Sequence, residues 1–383
     1  MSTGKKVLQI QLRYNVNESD LAEQVVAALV AHDVDVTTLF LRGRPDEGMP
    51  VSKAQRSCYF NCRPADLKGF RRWLVIFRLY LFCRAQGFDA VVAHRFKPIS
   101  MMMWLSQVFR STVFVGVEHG IGDYDRAFRR LEAAALISRR WKMVGVSRAV
   151  TSYLKNKVNA FNETNTITVN NAIDIDRAKS IMLSPGDARR ALALPEDKLV
   201  IGCIGRLVPV KGHATLIRAF ARIAKDYPDA LIVIIGEGRS RSDLEELVEK
   251  HDLQQRVILL GSRDDALMYV KAFDVFAMPS FSEGLPLALL EALAGARPVI
   301  GSDIDSLKSI LEDSGGLQFK VGDHVDLAEK LVELVQMSPA QRGELGAAGH
   351  DYLCRMHGID EFRSNYRNLI FSMIQDFGKS RDE

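Results

Sequence analysis

Short apolar runs alternate with amphipathic stretches along almost the whole chain. In the first half the runs fall at residues 7–12, 34–41, 89–94, 113–117, 142–146 and 166–169. Each is too short for a helix and too uniformly apolar for a half-solvated strand, so each predicts a strand buried on both faces of a parallel sheet. Helical spacing occupies residues 19–30, 66–86, 99–109 and 148–157, the last with Ser147 as its N-cap. Residues 43–64 are polar and rich in turn formers and predict a loop. A break at Ser184-Pro185-Gly186 interrupts the rhythm. It then resumes, with strands expected at 199–204, 230–235, 256–260, 274–278, 298–301 and 316–319. Helices are expected at 213–225, 242–251, 325–336, 339–356 and 360–376. This pattern predicts an α/β protein of two Rossmann-like doubly wound domains facing a central cleft, one spanning 1–183 and the next beginning at 184.

Composition changes this picture little, and charge changes it more. At 383 residues, 47% hydrophobic and 26% charged, the chain is ordinary for a globular protein of two or three domains. Residues 1–183 carry 27 Lys+Arg against 16 Asp+Glu, a net +11, whereas 184–383 carry 24 against 31, a net −7. Opposite signs suggest two domains with different partners. Five cysteines without paired metal spacing point to a reducing compartment and no zinc site. The N-terminus lacks a signal-like apolar core and no run approaches 18 apolar residues, so a cytoplasmic location is expected. In segment 66–86, Lys68, Arg71, Arg72, Arg78 and Arg84 interleave with Phe70, Trp73, Phe77, Leu81 and Phe82, and no acid follows Asp66. Two readings stand: a helix lying on an anionic membrane surface, or a core helix whose arginines face water. Nucleic acid is not expected, because no recognition module accompanies the patch.

Candidate chemistry concentrates in the second half. The run ending at Met278 opens into PSFSEGLPLALLEALAGARP, residues 279–298, where a helix is expected to start in the turn Glu283-Gly284-Leu285-Pro286. Free N–H groups at such a start, with Gly284 and Leu285 in the turn, favour an anion. Glu283 and Glu291 would conflict with an anion unless they face neutral hydroxyls, and a sugar nucleotide reconciles the two. After the run 199–204 comes Gly205-Arg206-Leu207-Val208-Pro209-Val210-Lys211-Gly212. It is superficially similar to a phosphate loop but lacks the Gly-Lys-Ser/Thr ending, which disfavours magnesium-nucleotide hydrolysis. Arg206 and Lys211 supply a planar fork and a mobile point charge that can balance a leaving nucleoside diphosphate without metal. Gly236-Glu237-Gly238 follows the next run and is either a close-approach loop or a tight strand-to-helix turn. His119, after the run 113–117, sits where open α/β sheets bind ligands. Four Asp-x-Asp triplets occur away from the cationic loop and imply no metal site.

Together these pieces resemble the family-4 retaining glycosyltransferases: Gly205-Arg206-Leu207…Lys211-Gly212, Gly236-Glu237-Gly238, then Pro279-Ser280…Glu283-Gly284…Glu291-Ala292…Gly295…Pro298-Val299. The likeness is strongest over 199–300 and extends more loosely to Glu118-His119-Gly120, Val146-Ser147 and Asn171-Ala172-Ile173-Asp174. The resemblance implies the GT-B fold, with a C-terminal domain over 184–358 that binds a nucleoside-diphosphate sugar. It also implies an N-terminal domain that binds the acceptor and a helix at 359–383 that returns to it. Anomeric configuration would be retained, with no cofactor and no essential divalent metal. By position, Arg206 and Lys211 would neutralise the donor diphosphate, Glu283 would contact the transferred sugar, Glu291 the ribose, and His119 the sugar near the reaction centre. Where family members carry a glycine pair in the first loop, this chain has Arg13-Tyr14-Asn15. The expected acceptor is a membrane-linked glycan, a lipopolysaccharide core or another glycolipid. A sugar-nucleotide epimerase on the same fold, or a non-catalytic sugar-nucleotide-binding protein, are the rival readings.

Overall fold

A computed structural model describes residues 4–17 and 20–382. The chain divides into two compact units: the first runs through Asn171 and is rejoined by residues from Ile359 onward, and the second spans Ala172–Gly358.

The first unit is built on a sheet of seven parallel strands: β1 (Lys6–Gln11), β2 (Asp35–Phe40), β3 (Arg56–Tyr59), β4 (Ala90–His94), β5 (Val113–Glu118), β6 (Trp141–Gly145) and β7 (Thr166–Thr168). Their order is β3-β2-β1-β4-β5-β6-β7, so the winding reverses between β1 and β4. Central strands β4 and β5 are buried along their whole length, which is why they read as unbroken apolar runs. The second unit has six parallel strands: β8 (Leu199–Ile204), β9 (Ala230–Ile235), β10 (Val257–Gly261), β11 (Val275–Met278), β12 (Val299–Ser302) and β13 (Leu317–Phe319). Their order is β10-β9-β8-β11-β12-β13, and the reversal lies between β8 and β11. Its core packs Ile201, Ile232 and Ile234 of the sheet against Ile217 and Phe220 of helix His213–Ile223 and Leu331 of helix His324–Gln336.

The last helix, Ile359–Asp382, belongs to the first unit. Tyr366 and Ile370 are buried there, and the Arg363 guanidinium donates to Gln24 Oε1 of helix Leu21–Val30 through Nε at 3.0 Å.

Several expectations need correction. Residues 43–64 are not all loop: β3 forms the sheet edge, and its RSCY sequence is only half-buried, so no apolar run announces it. The unit boundary falls at Asn171/Ala172 and not at 183/184, because helix Ile175–Ile181 packs with the second unit, where Arg177 pairs with Asp265 at 2.7 Å. The expected helix 66–86 begins only at Arg71. The start expected at 19 for the first helix lies outside the described residues; the helix itself is Leu21–Val30, capped by Asp20.

Candidate functional site

In open parallel sheets, ligands lodge at the carboxyl ends of the strands where the winding reverses. In the second unit this point is flanked by the connection after β8, which holds Gly205–Gly212, and the connection after β11, which holds Pro279–Pro286. Their side chains meet: Lys211 Nζ lies 2.5 Å from Glu283 Oε1. Ser280 Oγ donates to the same carboxylate oxygen at 2.7 Å, and Ser302 Oγ donates to the Ser280 carbonyl. Both members of the ion pair are largely shielded from water, so each cancels a charge that would otherwise be costly in place. Arg206 is exposed on the same loop, and among the described residues its side chain has no ion-pair partner.

Backbone contacts fix these loops. Phe281 N donates to Val210 O at 2.8 Å, joining the two connections directly. Gly212 has φ +69, and a Cβ there would lie 1.8 Å from the Pro279 carbonyl oxygen, so no side chain fits. On the other flank, Leu207 N donates to Glu237 O at 2.9 Å and Ser240 N to Leu207 O at 3.0 Å. A Cβ on Gly236 would fall 1.9 Å from Gly205 O, and one on Gly238 would fall 2.3 Å from Leu207 O. The space left by these two glycines is filled by the Arg206 loop. Of the two sequence readings, the structure therefore shows tight turns packed against a neighbouring loop. Glu237 itself points elsewhere and pairs with Arg241 at 2.7 Å.

The stretch 279–298 differs from expectation at its start. The helix is Leu287–Ala294, preceded by Pro286, so Glu283, Gly284 and Leu285 lie in the entering loop. Glu291 lies in the helix and is part-buried. Its carboxyl is pushed up to about 7 by burial and by Asp265, with Arg177 opposing. His213, unsuspected from the sequence, is the first residue of its helix. Its Nε2 is buried without a partner, and burial together with Lys211 lowers its pKa to about 4, so the ring is neutral.

His119 belongs to the first unit, directly after β5. Its Nε2 lies 3.2 Å from His94 Nδ1 at the end of β4. Burial and the partner ring hold His119 well below the ordinary histidine range, and burial lowers His94 to about 3. Beside them Glu118 is fully buried, and burial and Asp123 raise its pKa strongly, opposed by Arg95, Arg129 and the Tyr124 hydroxyl. Tyr124 is equally buried. His119 was legible in the sequence, whereas His94 and Tyr124 left no signal, because isolated buried polar residues have no characteristic spacing. Among the described residues no group of three or more His, Cys, Asp or Glu side chains could hold a metal ion, and no helix is long and apolar enough to cross a membrane.

Helix Arg71–Gln86 buries Val75, Ile76, Leu79 and Cys83 and presents Phe70 (84% exposed), Leu74 (67%) and Phe77 (59%) to solvent. Its neighbours continue the apolar surface. Trp73 meets Trp104 edge-on at 5.0 Å, and Leu131 of helix Ala127–Leu136 is 70% exposed. Glu132 ties helices Arg71–Gln86 and Phe96–Leu105 to its own, accepting from Arg72, Ser100 Oγ and Trp104 Nε1, each at 2.7 Å.

Comparison with known proteins places both units. Residues 21–177 match the family described as Glycosyltransferase Family 4, and residues 186–350 match Glycosyl transferases group 1. A GDP-mannose-dependent monoacylated alpha-(1-6)-phosphatidylinositol monomannoside mannosyltransferase of Corynebacterium glutamicum is 34% identical over 174 residues, covering 43% of this chain and 45% of the relative. The lipopolysaccharide core biosynthesis glycosyltransferase LpsE of Rhizobium meliloti is 30% identical over 185 residues, covering 48% of this chain and 53% of the relative. The chain thus spans about half the length of these curated relatives. Among solved structures, sucrose-phosphate synthase from Thermosynechococcus elongatus superposes with a TM-score of 0.82 at 19% identity, covering 97% of this chain and 100% of that one. Anabaena HepE in complex with UDP and glucose superposes with a TM-score of 0.79 at 17% identity, covering 96% of this chain and 100% of that one. The fold is therefore GT-B, and each unit is matched by a glycosyltransferase family model, Glycosyltransferase Family 4 on the first and Glycosyl transferases group 1 on the second.

Proposed function

We propose that this chain transfers a sugar from a nucleoside-diphosphate sugar to a membrane-linked glycan, with retention of configuration and without an essential metal. The observation that carries this reading is the Lys211–Glu283 pair at the reversal point of the second sheet, with unpaired Arg206 beside it. A departing diphosphate develops negative charge, and two fixed cations lower the barrier most if they are in place before the bond breaks. Pairing with Glu283 holds Lys211 ready at little desolvation cost. Glu283 in turn accepts hydrogen bonds from the hydroxyls of the transferred sugar, and Glu291 from those of the ribose. Backbone N–H groups of Gly284 and Leu285 face the phosphates, and Gly205, Gly236 and Gly238 keep the Arg206 loop in place. His119, neutral and bonded to His94, offers the sugar a hydrogen bond without adding charge. The acceptor hydroxyl attacks from the face the donor leaves and passes its proton to a donor phosphate oxygen.

Support for the donor class comes from the relatives' names, which include a GDP-mannose-dependent enzyme, and from HepE, whose structures hold UDP and UDP-glucose. Support for a lipid-linked acceptor comes from the phosphatidylinositol mannoside and lipopolysaccharide-core transferases and from the exposed apolar, basic helices of the first unit. Such a surface suits a peripheral enzyme at the cytoplasmic face of a membrane. The test is turnover of UDP-, GDP- and ADP-sugars with and without an extracted glycolipid pool, with the product anomer read by NMR. Acceptor-dependent turnover with a retained anomer is expected. Donor conversion that ignores the acceptor would favour an epimerase, and tight binding with no turnover would favour a binding protein.

A further inference from the structure

The first sheet has its own reversal point, between β1 and β4, and the sequence singled out its first connection only for lacking glycines. Each connection on the carboxyl side of five neighbouring strands contributes a cation there. Lys68 follows β3, Arg42 follows β2, Arg13 follows β1, Lys97 follows β4 and Arg129 follows β5. Two of the connections are joined by Tyr14 N donating to Arg42 O at 2.8 Å. Arg129 is committed, donating to Asp123 Oδ1 at 2.9 Å. Among the described residues Arg13, Arg42, Lys68 and Lys97 have no ion-pair partner. Lys97 is only part-exposed, and the charges acting on it are those of Lys68, Arg42, Arg129 and Arg13, all positive, which together with burial lower its pKa. Three unpaired cations gathered around a shielded fourth repel each other in the free protein, an arrangement without structural benefit.

A second observation marks the same place. Arg95, between β4 and Lys97, has φ +71 and ψ 157, a conformation that strains a non-glycine residue and collects at ligand sites. Two carboxyls that feel the charge of Arg95, Asp20 and Glu118, are raised by burial, Asp20 to about 7 and Glu118 strongly, which favours their neutral forms.

We infer that this edge is a phosphate-binding site, in which Arg13, Arg42, Lys68 and Lys97 take a phosphate or diphosphate group carried by the acceptor. Assignment of the anion to the acceptor rests on the transferase reading above; the site itself rests on the cations. A carboxylate carries one charge, whereas a phosphate monoester carries about 1.5 to 2 and offers three acceptor oxygens, which matches two guanidinium forks and two ammonium groups better.

Isothermal titration of the full chain with inorganic pyrophosphate tests it. In the Arg206→Ala/Lys211→Ala background, which removes the cations of the second unit, saturable binding is expected to persist. Adding Lys97→Gln and Arg42→Gln should weaken it at least tenfold, while the charge-preserving Lys97→Arg/Arg42→Lys pair should retain it. Binding lost with Arg206 and Lys211 alone, or indifferent to Lys97 and Arg42, would overturn the site. A second arm compares acceptors: Lys97→Gln should raise KM for a phosphorylated acceptor about tenfold and leave the donor KM unchanged. Competition by pyrophosphate against vesicles bearing a polyprenyl-diphosphate glycan would identify a lipid source, and competition only against a soluble sugar phosphate a free one. If KM for phosphorylated and dephosphorylated acceptors rises equally, the site does not recognise phosphate. The titration reads the site even if transfer is never observed, so its failure is separate from failure of the transferase reading.

Discussion

At the scale of single residues, buried charge decides what each group can do. Glu291 binds its proton more tightly in the folded protein than in the unfolded chain, with a pKa of about 7 against a carboxylate's usual value near 4. The native state therefore holds more protons between those values, and stability falls as pH rises through that window. Glu291→Gln removes the penalty, so the free variant should melt higher than the parent at pH 8 and equally at pH 4. If Glu291 also accepts ribose hydroxyls, donor affinity should drop about 10–100-fold in the same variant, the usual loss for a hydrogen bond to a charged group. Paired melting curves and donor titrations at pH 8 check both, and a more stable variant with undiminished donor affinity would remove Glu291 from the site. The neutral His94–His119 pair gives a further expectation. Burial and the charge of Arg95 both disfavour a proton on either ring, so transfer assayed from neutral into mildly acid pH should show no rise where an ordinary histidine would protonate.

At the scale of elements, the connections are tied to each other more than to their own strands. Gly212→Ala would drive a Cβ into the Pro279 carbonyl and force a residue with a side chain into φ +69. The two connections must then part, taking Lys211 from Glu283. We expect a loss of about 2–4 kcal/mol in unfolding stability, with transfer reduced even below the new melting temperature. Urea unfolding beside transfer assays measures both, and an unperturbed variant would show that the stitching does not hold the pair. The same contrast explains what was legible in the sequence. Strands such as ALIVII of β9, buried on both faces, announce themselves, whereas β3, with RSCY at a half-wet edge, does not. Arg206, Lys211 and Glu283 were visible because charged residues stand out against glycine and proline in short connections. His213 and Tyr124 were not, because only tertiary packing turns an ordinary core residue into a buried polar group with a partner or without one. The glycines of 236–238 were visible, but whether ligand or backbone fills their missing Cβ is a fact of packing between loops 30 residues apart.

At the scale of the whole molecule, chemistry is segregated. The first half of the chain is basic, and its unit presents the exposed apolar surface around Phe70, Phe77 and Leu131; the second half is acidic. Apolar burial supplies affinity at a lipid interface, and basic side chains add about 1 kcal/mol each on anionic lipid. Phe77→Asp/Leu131→Asp should therefore abolish flotation with anionic vesicles while soluble donor turnover persists; unchanged flotation would refute the membrane reading. In the second unit, the role proposed for Arg206 and Lys211 is to hold a departing diphosphate. Arg206 tests it most directly, because its side chain is exposed and unpaired and its removal leaves the fold untouched. Single-turnover transfer by Arg206→Ala, with its melting temperature matched to the parent, should fall about 10²–10³-fold. A folded variant that transfers at the parental rate would contradict the account.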